Sequence, residues 1–174
     1  ASCLVGSEMG IRDRIIALNL FAMQPKVTPV DYVRPQIDTH KSRWFFFSSA
    51  SRPFGMVSLS PDTWTEGSWN SGYLYNSKEI RCFSHVHCWQ LAGVPVMPTT
   101  GEVKGHKGMD AYKSTYSHET EIVKPGYHKV ELDTYQIRVE LTSTSRVGMH
   151  RYTYPAGEKA NVLFDVGALS LIHI

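Results

Sequence analysis

Residues 129–142 read KVELDTYQIRVELT, and their alternation decides the fold class. Tyr135, Ile137, Val139 and Leu141 fall on one side of an extended chain, with Gln136, Arg138, Glu140 and Thr142 on the other. A period of two with one apolar and one polar side marks a half-buried antiparallel strand that keeps water on its polar face. Just upstream, Val130 and Leu132 face one way and Lys129, Glu131 and Asp133 the other. Only Thr134 separates the two runs, so a tight hairpin turn is expected at Asp133-Thr134.

Outward from this hairpin, 147–154 and 161–166 read as two further strands, the second alternating through Val162, Phe164 and Val166. Residues 54–60 read as another, ended by Pro61-Asp62. Turn signals recur between the strands at Pro29, Pro35, Pro53, Asn70-Ser71-Gly72, Pro98, Pro125-Gly126 and Pro155-Ala156-Gly157. No long segment holds a 3.6-residue apolar stripe. The fold class is therefore all-β, an antiparallel sandwich of jelly-roll-like character. A sandwich needs two complete sheets, and the last strand stops near Val166, so the domain is expected to be incomplete at its C-terminal end with an open edge.

The 174 residues suffice for one domain or part of a larger one, and 42% apolar against 20% charged residues excludes a disordered chain. A net charge of +2 is too small to argue for nucleic acid or an acidic membrane surface. No run reaches the ~18 apolar residues that span a bilayer. Cys3, Cys82 and Cys88 make no disulfide framework. Extended, Cys82 and Cys88 would stand ~20 Å apart, beyond disulfide reach.

Three parts are expected. Residues 1–29 are set apart: ASCLVGSEMGIRDR resembles a translated sequencing-adaptor scar. Ile15 to Ala22, preceded by Arg12 and Arg14, reads equally as a secretory-signal remnant or a short helix. Residues 30–168 carry the partial sandwich, and 169–174, ending LSLIHI, again look adaptor-like.

The richest chemistry runs from Trp64 to Gly101, where Trp, Tyr, His and Cys crowd around glycine turns. If 83–88 is extended, His85 and His87 share one face while Cys82, Ser84 and Cys88 share the other. Zinc would then need a turn here or ligands from elsewhere. Histidines bonded to backbone, or lining a polyol surface, are the other readings. Trp89, beside Gln90, suits a platform for the C–H face of a sugar, and equally suits a core. In Arg52-Pro53-Phe54-Gly55-Met56, Pro53 fixes φ and Gly55 allows close backbone approach, so N–H groups could meet a ligand oxygen; a plain strand entrance is the alternative. Asp62, Glu66, Glu79, Glu119, Glu121 and Asp165 supply carboxyls, but no spacing singles out the pair that glycoside hydrolysis requires, and most read as turn formers or solvated charges.

Five ordered blocks carry a resemblance: VDYVRPQIDT (30–39), RPFGMVSLSPDTW (52–64), SGYLYNSKEIRCFSHVHCWQLAGVPVMPTTG (71–101), YSHETEIVKPGYHKVELDTYQIRVELTSTSRVGMHRYTYP (116–155) and ANVLFDV (160–166). Together they resemble the N-terminal domain of glycoside hydrolase family 92, the calcium-dependent exo-α-mannosidases. Arg34 replaces a common asparagine, and Cys82 stands where glycine is common, which puts local substrate contacts in doubt.

The resemblance implies a sandwich followed by a C-terminal (α/α)6 module, with the active site between them. That module would supply the catalytic carboxylates and most ligands of Ca2+, so no catalytic or metal residue is assigned to this chain. It implies terminal α-mannosides of glycans as substrate, inversion of configuration, and a secreted or periplasmic enzyme. The substrate-binding candidates it carries onto this chain are the backbone at Phe54 and Gly55, the side chains of His85, His87 and Trp89, and, more weakly, Asp62 and Tyr73. Two rivals differ in class. A free-standing carbohydrate-binding sandwich would meet a stop codon soon after Val166 in the genomic locus, and a zinc-bound structural domain would purify with stoichiometric metal.

Overall fold

The computed structural model describes residues 27–40, 50–63, 72–87, 91–92 and 94–166. The chain divides into a short N-terminal unit ending at Tyr32 and a body from Val33 onward. In the first, Pro29–Tyr32 forms one 3-10 turn, closed where the Thr28 N–H and hydroxyl both donate to the Asp31 carboxylate.

Among the described residues of the body, the regular structure is almost all strand. Its elements are β1 (Ser60–Asp62), β2 (Glu79–Ile80), β3 (Cys82–Ser84), β4 (Val86–His87), β5 (Leu91–Ala92) and β6 (Val96–Thr100). They continue as β7 (Ser114–Thr115), β8 (Ile122–Lys124), β9 (Tyr127–Leu132), β10 (Ile137–Ser143), β11 (Gly148–Thr153) and β12 (Ala160–Phe164). A 3-10 turn, Gly105–Lys107, and an α-helical turn, Met109–Tyr112, precede β7. One sheet runs β1-β3-β6-β12 and the other β11-β10-β9-β8; β2-β7 and β4-β5 are two-stranded ribbons. All pairings are antiparallel.

The alternation in 129–142 becomes burial. Ile137, Val139 and Leu141 are fully or almost fully buried, as are Val130 and Leu132. Register places Val139 between Val130 and Tyr152, so one row of side chains faces inward across three strands. These residues join Val57, Leu59, Phe83 and Met97 in one cluster shared by both sheets. Each such side chain removed from water contributes about 1.5–3 kcal/mol, which is what holds the layers together.

Local expectations change in two places. The β9–β10 connection spans the four residues Asp133–Gln136, because Leu132 pairs with Ile137. Gln136 adopts φ 55°, and Tyr135 leaves the strand but still packs inward, its hydroxyl on the Tyr112 carbonyl at 2.9 Å. Residues 54–59 form no continuous strand. Pro53 and Phe54 make a turn, a lone bridge joins Ser51 to Ser58, and the strand comes later, with Pro61 and Asp62 inside it.

Candidate functional site

The densest polar chemistry lies where β1, β3 and β4 meet. Antiparallel pairing sets Asp62 opposite Cys82, and the chain bends at His85 before β4 begins. The bend breaks the alternation, so His85 and His87 part company. His87 turns inward: its Nδ1 lies 2.6 Å from the Ser58 carbonyl and its Nε2 2.5 Å from Asp62 Oδ1. Carbonyl and carboxylate oxygens only accept, so this arrangement is satisfied when both ring nitrogens donate, as they do in the imidazolium form. Burial opposes that charge, but the Asp62 carboxylate, its hydrogen bond and the Ser58 carbonyl outweigh burial and raise the His87 pKa.

The His87 and Asp62 side chains are both 0% exposed. Ser84 Oγ lies 3.0 Å from the same Nε2. Serine, histidine and aspartate thus meet, yet a hydrolytic relay needs serine and acid on opposite ring nitrogens and an open face. This group is an anchor. Cys82 completes it, its thiol donating to Asp62 Oδ2 at 3.4 Å. Burial first, and then the Asp62 charge, push that thiol well above its ordinary pKa, which leaves it unreactive. The expectation that strand geometry would send the cysteines away from the histidines fails for Cys82, because one carboxylate bridges it to His87.

His85 points the other way, to β11. Its Nε2 lies 3.0 Å from Nε2 of His150, whose Nδ1 is 2.8 Å from the Tyr152 hydroxyl. Burial, then the neighbouring His87, lower the His85 pKa; burial, then His85, bring that of His150 down to about 4. Both rings are therefore neutral at physiological pH. Gly148 makes room for the pair, since a Cβ there would lie 2.4 Å from His85 Cδ2 and 2.9 Å from its Nε2. Gly148→Ala is expected to cost about 1–3 kcal/mol in urea unfolding, the usual penalty for overpacking. Gly105→Ala is expected to cost less, because the atom its Cβ would meet is the rotatable tip of Leu163. Equal losses would show that the His85 ring is free to move aside.

Phe54 occupies the turn at 52–55 with φ 59° and a fully exposed ring. A left-handed conformation is costly for a bulky residue, and here two hydrogen bonds impose it: Gly55 N–H to the Arg52 carbonyl at 3.0 Å and Met56 N–H to the Ser145 carbonyl at 2.8 Å. The Gly55 N–H is thereby occupied within the turn.

Tyr73 belongs to a different group. Its hydroxyl donates to Glu121 Oε2 at 2.9 Å, and burial first, then the Glu121 charge, raise its pKa. The same carboxylate receives His118 Nδ1 at 2.6 Å, His128 Nε2 at 2.8 Å and Gln36 Nε2 at 3.3 Å. Burial would raise the Glu121 pKa, but the donors from His128, His118 and Tyr73 prevail and lower it. Glu121 is thus neither a turn former nor a solvated charge; its side chain is 2% exposed. The available signal was His128, which falls on the apolar face of the Val130–Leu132 alternation and needs a polar partner once buried.

The candidates therefore fall into separate groups. Asp62 and His87 touch, His85 sits two residues away on the opposite side of the bend, Phe54 and Gly55 stand on a turn against Ser145, and Tyr73 lies in the Glu121 network. Trp89 lies outside the described residues, as do Cys88 and Gln90. Two surface hollows, one beside Asp133 and Gln136 and one along Glu140, His150 and Arg151, are lined by none of the candidates. Among the described residues no group of three or more His, Cys, Asp or Glu side chains is placed to hold a metal ion. Calcium takes six to eight oxygens, whereas the buried carboxylates of Asp62 and Glu121 are already filled by imidazole, thiol and hydroxyl donors, so these residues do not fit it.

Fold and interior together define an antiparallel β-sandwich domain stapled by buried charge. The profile of the "Glycosyl hydrolase family 92 N-terminal domain" matches residues 32–171, and the chain belongs to that family. Its fold is similar to the family GH92 α-mannosidase BT3965 from Bacteroides thetaiotaomicron, solved with mannoimidazole, at 36% identity and TM-score 0.69 over 78% of this chain and 19% of that one. It is also similar to the family GH92 inverting mannosidase BT2199 from Bacteroides thetaiotaomicron VPI-5482, at 28% identity and TM-score 0.67 over 80% of this chain and 20% of that one. The chain spans about a fifth of the length of these relatives. No curated protein sequence matches it.

Proposed function

We propose that this domain forms one wall of the substrate pocket of an inverting, calcium-dependent exo-α-mannosidase that trims terminal α-mannosides from glycans. The reading rests on the family match across residues 32–171, joined to solved relatives that are GH92 mannosidases about five times longer than the matched region. The catalytic acid and base and most of the calcium ligands belong to a C-terminal (α/α)6 module of the parent polypeptide. Calcium, bound there, polarises the sugar hydroxyls. Phe54, with its ring presented to solvent from a constrained turn, is the residue of this domain best placed to meet a ligand. His87 and Asp62 serve that wall from beneath, by fixing the bend that carries His85. The parent works outside the cytoplasm, and fractionation of the source cells that left it in the cytosol would refute that placement.

Two assays with an aryl α-mannoside and calcium test the proposal. The 174-residue chain alone is expected to show no hydrolysis above blank. The polypeptide encoded by the uninterrupted locus is expected to release mannose whose first-formed anomer, followed by proton NMR, is β. Turnover by the chain alone, or an α-anomer from the full polypeptide, overturns it.

A further inference from the structure

The His85–His150 pair carries an inference independent of mannoside hydrolysis. Two imidazoles from elements distant in sequence, the bend after β3 and the edge strand β11, meet nitrogen to nitrogen at 3.0 Å. One hydrogen bond between them uses one N–H and one lone pair. With both rings neutral, moving the shared proton to the opposite side of its ring leaves two lone pairs beside one another. Nitrogens bound tetrahedrally to one zinc at the usual ~2.0–2.1 Å would stand about 3.3 Å apart. A shift of a few tenths of an ångström therefore separates the hydrogen-bonded pair from a chelate.

The surroundings suit that exchange. A metal-bound imidazole normally donates its other N–H to a fixed acceptor, and the Tyr152 hydroxyl already lies 2.8 Å from His150 Nδ1. Ring contacts hold the orientation: the Phe83 and Tyr152 rings each lie edge-on to His150, with centroids 6.4 and 5.7 Å away. Gly148 removes the side chain that would otherwise fill the space against His85 Nε2. Burial keeps both imidazoles unprotonated near neutrality, the state a metal needs. His87, the nearest further imidazole in sequence, has both nitrogens committed to Asp62 and Ser58, so it neither competes nor contributes.

We propose that His85 and His150 form a two-imidazole site for a borderline d-block dication such as Zn2+, with water completing the coordination shell and Tyr152 orienting His150 from behind. The site joins the β3–β4 bend to β11, so metal binding clamps the sandwich across that seam. It is distinct in chemistry from calcium, which prefers oxygen.

The test is titration of the purified 174-residue chain with Zn2+ against a chromophoric chelator at about pH 7.5, repeated at about pH 5.5 where protons compete for the nitrogens. One equivalent is expected to bind, more weakly at the lower pH, and to raise the thermal midpoint. His85→Gln and His150→Gln are each expected to abolish that equivalent, and Tyr152→Phe to weaken it by about tenfold or more. His118→Gln, which removes an imidazole of the Glu121 network, is expected to leave it unchanged. Circular dichroism confirms that each variant is folded. If a glutamine variant does not fold, protection of His85 and His150 in the unaltered chain from diethyl pyrocarbonate by Zn2+ replaces it. Binding retained in a folded His85→Gln,His150→Gln double variant, equal modification of both histidines with and without Zn2+, or no bound equivalent at all, overturns the proposal.

Discussion

Glu121→Leu is expected to lower the stability of the sandwich by about 3–5 kcal/mol, the cost of removing one partner from a buried charged network. Tyr73, His118, His128 and Gln36 would all lose their common acceptor, and His128 is wholly buried. Small domains hold only about 5–15 kcal/mol in total, so the variant sits near the threshold of folding. Tyr73→Phe removes one donor and leaves the rest paired, which is expected to cost about 1 kcal/mol. The pH dependence has a definite sign. The Glu121 pKa is lowered on folding, so its contribution is present above the ordinary carboxylate range and is lost as pH falls through the folded value. Urea midpoints of both variants at two pH values measure this. A Glu121→Leu loss below that of Tyr73→Phe would show that the carboxylate is not the hub.

The second large effect belongs to Asp62. Asp62→Ala would strand an imidazolium in a site where neither partner touches water, and a loss of about 3–5 kcal/mol is expected. Cys82 would lose its acceptor as well. The His87 pKa is raised on folding, so its share of stability is complete below pH 6.5, the ordinary histidine value, and declines as pH rises through the folded value. Wild-type and variant urea curves are thus expected to converge as pH rises through that interval. NMR titration of His87 supplies the check: a wild-type ring that titrates below the unfolded histidine would contradict the ion pair. This sign is opposite to that of Glu121, so the domain is expected to be most stable between the two transitions.

The fold was legible because its signal is periodic. Val130, Leu132, Ile137, Val139 and Leu141 are spaced by the strand repeat, and their burial follows from it directly. The polar interior was not, because its partners are brought together by topology. Glu121 and Gln36 lie 85 residues apart, and His150 and His85 lie 65 apart. Nothing in the local pattern around Glu121 distinguishes it from a surface carboxylate. The straight-strand geometry read at 54–60 and at 83–88 fails locally for one shared reason. A strand was assumed to run straight, whereas a left-handed residue at Phe54 and a bend at His85 each reset which way the next side chain points. The family resemblance, carried by ordered blocks rather than single residues, does not depend on such details and agrees with the profile match.

The two sheets differ in how far apart their strands lie along the chain. β8 to β11 follow one another as successive neighbours, so each hairpin closes over a short loop. In the other sheet β6 lies between β3 and β12, and Thr100 waits for Ala160 as its partner. Closing that span carries a larger entropic barrier than any of the short hairpins. During synthesis the meander can therefore zip before β6 finds β12, and β6 keeps one edge open until Ala160–Phe164 leaves the ribosome. For that interval the nascent polypeptide displays an unsatisfied edge to its neighbours, and the speed of translation between β6 and β12 becomes a determinant of how much of it reaches the native state.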